Sequence, residues 1–205
     1  MTMKQWNSET IKSKGVTLIE MLVAVTIFTI ILGAISGLFI SGIRTQRRVL
    51  ATQELLDQTS YAFEYMGRAL RMAKKDLTGN CLTTAGAKYN YENPGGDISK
   101  IRFIKFDHAT QTELCQEYLK EENQLKERKS TDATAANLPA TGTPLTSEKL
   151  QVTSLKFNLS GESQTDNLQP RVTISSEILG RGAAGEQPKI QIQTTISQRN
   201  LDIQR

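Results

Sequence analysis

The sequence has few of the residues that usually carry chemistry. Its 205 residues include one histidine and two cysteines, and the cysteines form no Cys-x-x-Cys pair. Structural and catalytic zinc sites need clusters of these residues, so no metal site is expected. Nucleophile elbows, phosphate-binding loops and paired histidine and carboxylate signatures are also missing from the sequence. The chain is therefore predicted to be neither an enzyme nor a cofactor-binding protein.

Proline and net charge are also low. None of the five prolines precedes Pro94, so nothing in the first part of the chain interrupts a long helix. The formal net charge is +4, and residues 1–15 contribute half of it through three lysines and one glutamate. The remainder has 22 basic and 20 acidic residues. This balance does not indicate nucleic-acid binding, and nucleic acid is not expected as a partner.

One long apolar run stands out in this polar chain. Residues 16–43 read VTLIEMLVAVTIFTIILGAISGLFISGI and contain a single charge, Glu20. A helix of this length spans about 42 Å, more than the ~30 Å hydrocarbon layer of a membrane. A secretory signal with its apolar run at 21–32 and a cut near 34–36 is the alternative. The apolar pattern continues past that cut, and a plain signal has no use for Glu20, so a retained membrane helix is favoured.

The start of this run carries a motif. The segment Lys14 to Glu20, KGVTLIE, follows a short basic leader and precedes the long apolar helix. It resembles the cleavage and methylation motif of the type IV pilin-like prepilins, although Val16 replaces the usual phenylalanine. The resemblance implies that residues 1–15 are a leader cut between Gly15 and Val16 and that the new amine of Val16 is methylated. It also implies that Glu20 is the assembly carboxylate, paired with the terminal amine of a neighbouring subunit.

The same resemblance implies partners and a location. Prepilin peptidase, other pilin or pseudopilin subunits, the inner-membrane assembly platform and membrane lipid are the expected partners. The chain would cross the cytoplasmic membrane once at residues 16–43, with its C-terminal head outside, and would assemble in a pilus or pseudopilus. Basic residues flank both ends of the apolar run, so charge alone does not set this orientation.

The helix is predicted to continue beyond the membrane segment, over residues 44–78. Val49, Leu56, Phe63 and Leu70 recur every seven residues, which gives an amphipathic pattern with one apolar stripe. The sequence Thr-Gly-Asn at 78–80 breaks the pattern, so the helix is expected to end around Asp76 to Gly79. A stripe this long needs a cover, and a sheet from the same chain is the simplest one.

Strand patterns dominate residues 79–205. Segments 101–106 and 113–119 predict a hairpin across the turn 107–112, and alternating residues predict strands at 149–159, 171–178 and 189–197. The polar segment 120–148 is interpreted as a long exposed loop or partly disordered insertion, and 180–188 as a mobile hairpin tip. The predicted fold is α+β and pilin-like, with a long N-terminal helix packed on an antiparallel β-sheet head.

Two features of the head concern possible cross-links. If the head is exported, Cys81 and Cys115 are expected to form one disulfide, with two separate buried thiols as the alternative. Asp97, Asp107 and Glu113 lack the regular spacing of calcium ligands, so a calcium site is not expected.

Looser similarities point to a subgroup and a role. Residues 27–28, 69–77 and 193–200 are similar to the minor pseudopilin J or PilW group. This implies a minor structural subunit of a type IV pilus or of a type II secretion-like pseudopilus. Two alternatives stay open: a competence-type pilin that binds DNA, and a signal-anchored extracytoplasmic domain that is not assembled into a filament.

Overall fold

The computed structural model describes residues 15–86, 88–162, 168–180, 182 and 187–199. The leader residues 1–14 and most of the expected hairpin tip at 180–188 lie outside the described residues. The first element is helix α1, Leu18–Arg71, which runs for 54 residues without a break. The boundary between two compact units of the chain falls between Gln46 and Arg47, inside this helix.

In the part of the chain that the structure describes, eight strands follow α1 and form two antiparallel sheets. Sheet A has the order β1 to β5, and sheet B has the order β6-β7-β8. The strands are β1 Ala73–Lys74, β2 Lys100–Asp107, β3 Thr112–Glu121, β4 Gln124–Lys129, β5 Thr143–Pro144, β6 Gln151–Ser160, β7 Arg171–Leu179 and β8 Lys189–Ser197. The α+β prediction is confirmed, with two sheets where one was expected. The hairpin predicted across 107–112 is present, with β2 and β3 paired from Lys100↔Leu119 to Asp107↔Thr112.

The main core lies between the second part of α1 and the two sheets. Its members include residues of α1 (Leu55, Ala62, Met66, Leu70), of sheet A (Ile101, Phe103, Tyr118, Leu125) and of sheet B (Phe157, Val172, Ile174, Ile178). Main-chain bonds join the sheets: the Val152 N–H donates to the Asn123 carbonyl and the Phe157 N–H to the Ile98 carbonyl, both at 2.7 Å. The helix and both sheets therefore share one apolar interior.

The buried stripe of α1 is displaced from the predicted one. Phe63 and Leu70 are buried as expected, but Val49 and Leu56 remain 50% and 42% exposed. An α-helix has 3.6 residues per turn, so positions seven apart drift around its axis by about 20° each time. The heptad series thus rotates out of the core over its length, and Leu55 takes the buried position beside Leu56.

The helix ends earlier than predicted, at Arg71 instead of around Asp76 to Gly79. Ala73 and Lys74 pair with Lys105 and Ile104 as β1, which removes them from the helix. The last carbonyls of α1 have partners from distant parts of the chain. The Tyr91 hydroxyl donates to the Leu70 carbonyl at 2.7 Å, and the Arg199 N–H donates to the Arg71 carbonyl at 2.8 Å. Tertiary hydrogen bonds therefore fix this terminus.

The interpretation of 120–148 as a long exposed loop is wrong. The segment contains β4, which pairs with β3 from Gln116↔Lys129 to Glu121↔Gln124, and the short β5. Leu125 enters the main core and is 1% exposed. The charged side chains of β4 are paired: Lys126 with Glu121 and Glu122, and Arg128 with Glu117 and Glu121. These ion pairs stabilise β4, which lacks the alternation of apolar and polar residues from which a strand is predicted.

Candidate functional site

The residues of the predicted cleavage site lie just before α1. Gly15, Val16 and Thr17 have no regular secondary structure, and the helix begins at Leu18. Val16 is 64% exposed. A Cβ atom added to Gly15 would meet no other atom within 4 Å, and no positive φ is recorded there. Within the described residues, the fold therefore gives no steric reason for glycine at position 15.

Thr17 caps the helix. Its hydroxyl oxygen accepts a hydrogen bond from the Glu20 N–H at 3.3 Å, and its carbonyl accepts the Met21 N–H at 3.2 Å. Thr17 to Glu20 has the Thr-x-x-Glu spacing of a capping box, in which the N-cap hydroxyl satisfies a free N–H of the first turn. The helix start is therefore encoded locally by the same residues as the predicted motif.

Glu20 is the one charged residue between positions 15 and 43. It is the third residue of α1 and is exposed. The partial positive charge at a helix N-terminus favours a carboxylate in the first turn. Among the described residues no cationic group lies within ion-pair distance of this carboxylate. Glu20 thus has a local structural role and keeps its charge open to a partner from outside the chain.

The apolar part of α1 is uncovered. Its large side chains from Leu18 to Ile40 are 46% to 84% exposed. An 18-residue window of the helix has a mean hydropathy of 2.5, with none of its residues buried. The hydroxyl groups of Thr26, Thr29 and Ser36 donate to carbonyls three or four positions earlier, so they are satisfied within the helix. By length and composition this is a helix able to cross a membrane.

The two cysteines are joined. Cys81 and Cys115, predicted as a disulfide pair, form a disulfide with Cα atoms 5.6 Å apart. The bond ties the loop after β1 to β3, apart from the main core. Leu82 and Ile104 pack with it in a second, smaller apolar cluster.

Sequence reasoning missed Asp76, which organises the same loop. This carboxylate is fully buried and accepts hydrogen bonds from four N–H groups, those of Thr78, Gly79, Cys81 and Leu82, and from the Thr78 hydroxyl. Burial alone would raise the pKa of Asp76, but these donors outweigh it and hold the pKa below its usual value. The sequence does contain a signal for this turn, the Asx-turn pattern Asp-x-Thr-Gly at residues 76–79, but on its own it predicts only the end of the helix.

A buried ion-pair triad was also missed. Arg102 lies between Glu92 and Glu117, with nitrogen–oxygen distances of 3.1 Å and 2.7 Å, and both carboxylates are 2% exposed. The second oxygen of Glu92 accepts the N–H groups of Thr84 and Ala85 at 2.8 Å and 2.9 Å. The triad therefore fastens the loop between β1 and β2 to sheet A, a structural task.

No described residues form a cluster suited to a metal. Within the described ranges no group of three histidine, cysteine, aspartate or glutamate side chains is placed to hold an ion. Asp97 bonds to Ser99, Asp107 bonds to Ala109 and Thr110, and Glu113 pairs with Lys74. These three acids have separate local partners.

Comparison with known proteins supports the N-terminal motif. A family model described as the prokaryotic N-terminal methylation motif matches residues 11–36. No curated protein and no solved structure matches the chain. The match covers the cleavage site, Thr17, Glu20 and most of the apolar run, which are the residues that the structure places at the start of α1. Residues 11–36 of the chain thus carry the prokaryotic N-terminal methylation motif, which supports the resemblance to the type IV pilin-like prepilins.

Proposed function

We infer that this protein is a minor structural subunit of a type IV pilus or of a type II secretion-like pseudopilus. Prepilin peptidase would cut it between Gly15 and Val16 and methylate the amine of Val16. The apolar part of α1 would then anchor it in the cytoplasmic membrane in a single pass, with residues 47–205 outside. The observation that carries the proposal is one carboxylate, Glu20, which lies within the matched methylation motif at the start of an apolar helix segment with exposed side chains.

The position of Gly15 supports processing at this point. Among the described residues no atom crowds a side chain at position 15, whereas a peptidase must admit the main chain on both sides of the bond that it cuts. Val16 and Thr17 precede the helix and have no regular structure, so the bond lies in main chain outside the helical hydrogen-bond ladder. Cleavage would leave the new amine four residues from Glu20.

The proposed pairing has a physical reason. An amine on Val16 and the Glu20 carboxylate would each be costly alone among apolar helices, and pairing between subunits offsets both desolvation terms. A subunit in the wrong axial register would leave one charge unpaired. The apolar surface would thus supply adhesion, and the ion pair would select the register.

Intact-mass measurement of the mature protein tests the processing step. The expected mass is that of residues 16–205 with one methyl group and two hydrogens fewer for the disulfide. A mature chain that begins near residue 37 would instead identify an ordinary secretory signal. A chain that retains residues 1–15 would show that the motif is not processed.

A Glu20→Gln variant tests assembly. Glutamine at this position also suits a capping box, so the helix start is kept while the charge is removed. Cleavage and membrane insertion should be unchanged, and incorporation into sheared filaments should fall at least about tenfold because a buried amine loses its partner. The matched control is Glu20→Asp, which keeps the charge and should incorporate better than the glutamine variant. Equal incorporation of Glu20→Gln and the unaltered protein would refute the pairing.

A further inference from the structure

An open cleft lies in the unit formed by residues 47–205, at the C-terminal end of α1. Five side chains line it, those of Met72, Lys74, Phe106, His108 and Arg199, and its volume is about 480 Å³. Small-molecule sites typically measure about 300–1,000 Å³, so the Phe106 cleft, as we call it, has a suitable size. None of its residues takes part in the N-terminal segment described above.

Three separate parts of the chain build the Phe106 cleft. Met72 and Lys74 belong to the short stretch where α1 gives way to β1. Phe106 lies near the end of β2, and His108 is in the turn that follows. Arg199 comes after β8, and its N–H is bonded to the Arg71 carbonyl at 2.8 Å. Main-chain hydrogen bonds thus bring Arg199 to this end of the helix.

The cleft combines an apolar surface with positive charge. The Lys74 Nζ atom lies 5.0 Å from the centroid of the Phe106 ring, and the His108 ring meets Phe106 edge-on with centroids 5.1 Å apart. Met72 is 42% exposed and extends the apolar area. Arg199 is exposed, and its guanidinium has no ion-pair partner among the described residues. An aromatic ring beside ammonium and guanidinium groups suits a ligand with a flat apolar body and a negative charge.

Glu113 already forms an ion pair with one of these cations, Lys74. Its Oε1 atom lies 3.0 Å from Lys74 Nζ, and both side chains are about half exposed, at 47% and 40%. Exposed pairs of this kind contribute little to stability, so an incoming anion can displace the glutamate at small cost. Glu113 is therefore positioned as a competitor for Lys74.

We propose that the Phe106 cleft binds a small organic anion, a carboxylate or phosphate joined to an aromatic or compact apolar body. The oxyanion lies between Lys74 and Arg199, and the body rests against Phe106 and Met72. Glu113 opposes binding because it competes for the same ammonium group. The site does not depend on filament assembly.

A different explanation of the basic residues is compensation of the helix dipole, since cations are favourable near a helix C-terminus. In that case Lys74 and Arg199 would affect stability alone, and removing Glu113 would have no effect on any ligand. Ligand binding and urea unfolding must therefore be measured on the same variants.

The test uses the full chain in detergent micelles, with para-fluorophenyl phosphate as the probe. Binding is measured from the broadening of the probe's fluorine NMR signal. Para-fluorobenzyl alcohol supplies the ring without the charge, and unlabelled inorganic phosphate, added as a competitor, supplies the charge without the ring. Protein-free micelles correct for partition of the probe. Glu113→Gln should tighten binding about threefold to fivefold, and Arg199→Gln should weaken it by a similar factor.

Matched controls change the same charges elsewhere. Glu148→Gln and Lys156→Gln alter exposed residues outside the cleft and should leave binding unchanged. Saturable binding with these four responses supports the proposal. No binding at millimolar probe, equal responses in the control variants, or no response to Glu113→Gln would overturn it.

Discussion

Asp76 shows how one buried charge can fix a loop. Its two carboxylate oxygens accept five hydrogen bonds from residues 78–82, so a turn that contains few apolar side chains acquires a single conformation. Carboxylates bonded to several N–H groups are stabilised in their charged form. The protein therefore depends on this group being ionised.

This dependence predicts a pH effect on stability. The pKa of Asp76 is lower in the folded chain than in the unfolded chain, so its ionised carboxylate stabilises the fold. This contribution to stability is complete above the unfolded pKa of about 3.9 and is lost as pH falls through the folded pKa. Asp76→Asn should lower the free energy of unfolding at pH 7 by about 2 kcal/mol, since charged hydrogen bonds are lost. Urea unfolding followed by tyrosine fluorescence measures this, with the exposed Asp57→Asn as control. An Asp76→Asn variant with the stability and acid dependence of the unaltered chain would contradict the argument.

At the scale of elements, regular patterns could be predicted and paired charges could not. Strands β2, β3, β6, β7 and β8 alternate or cluster apolar residues, and each lies where the sequence predicts it. Strand β4 reads QLKERK, and its order comes from partners on β3 and from Tyr65 of α1, which donates to Glu127 at 3.0 Å. Such partners are distant in sequence, so no local pattern reveals them.

The same reasoning applies to the candidate sites. The N-terminal motif could be predicted because its signal is contiguous, from Gly15 through the apolar run. The Phe106 cleft could not, because Lys74, Phe106 and Arg199 come together only through sheet pairing and the bond to the last turn of α1. A site made of consecutive residues can be predicted from the sequence, whereas a site made of residues distant in sequence becomes visible only in the folded structure.

Helix α1 offers a test of packing. A Cβ atom at Gly67 would lie 3.5 Å from the Ile196 Cδ1 atom, an ordinary contact. Gly67→Ala should raise the free energy of unfolding by about 0.5–1 kcal/mol, because alanine has the higher helix propensity. Gly161→Ala is the contrasting variant: Gly161 has a φ of +71° and its added Cβ would lie 2.8 Å from the Gln169 carbonyl oxygen, so stability should fall. The urea midpoints of the two variants show whether each is stabilised or destabilised. A destabilised Gly67→Ala variant would show that α1 and β8 pack more tightly than described.

The Cys81–Cys115 disulfide gives a second test at this scale. It closes a loop with a sequence separation of 34, and chain-entropy arguments assign such a loop about 3–4 kcal/mol. Replacing both cysteines by serine should lower the urea midpoint accordingly, and reductant should lower that of the unaltered chain while leaving the double variant unchanged. A midpoint insensitive to reductant would show that the bond contributes little.

For the whole molecule, the proposed topology is testable by fusion. Alkaline phosphatase, which is active only outside the cytoplasm, should be active when joined after Arg205, because the apolar part of α1 would carry the sheets across the membrane. The control fusion is joined directly after Gly15 and lacks that segment, so it should be inactive. An inactive C-terminal fusion, with the protein still retained in the membrane, would reverse the orientation.

The uncovered surface of α1 has a consequence for how the proposed subunit would move. Side chains as exposed as those from Leu18 to Ile40 need an apolar covering at all times, whether acyl chains or other helices. Acyl chains and leucine side chains are similarly apolar, so exchanging one covering for the other releases little free energy. The free energy of α1 would then be nearly the same in the bilayer and in a filament over most of its length. Whether the helix moves from one to the other would depend on its few polar atoms and on the energy source that drives the exchange.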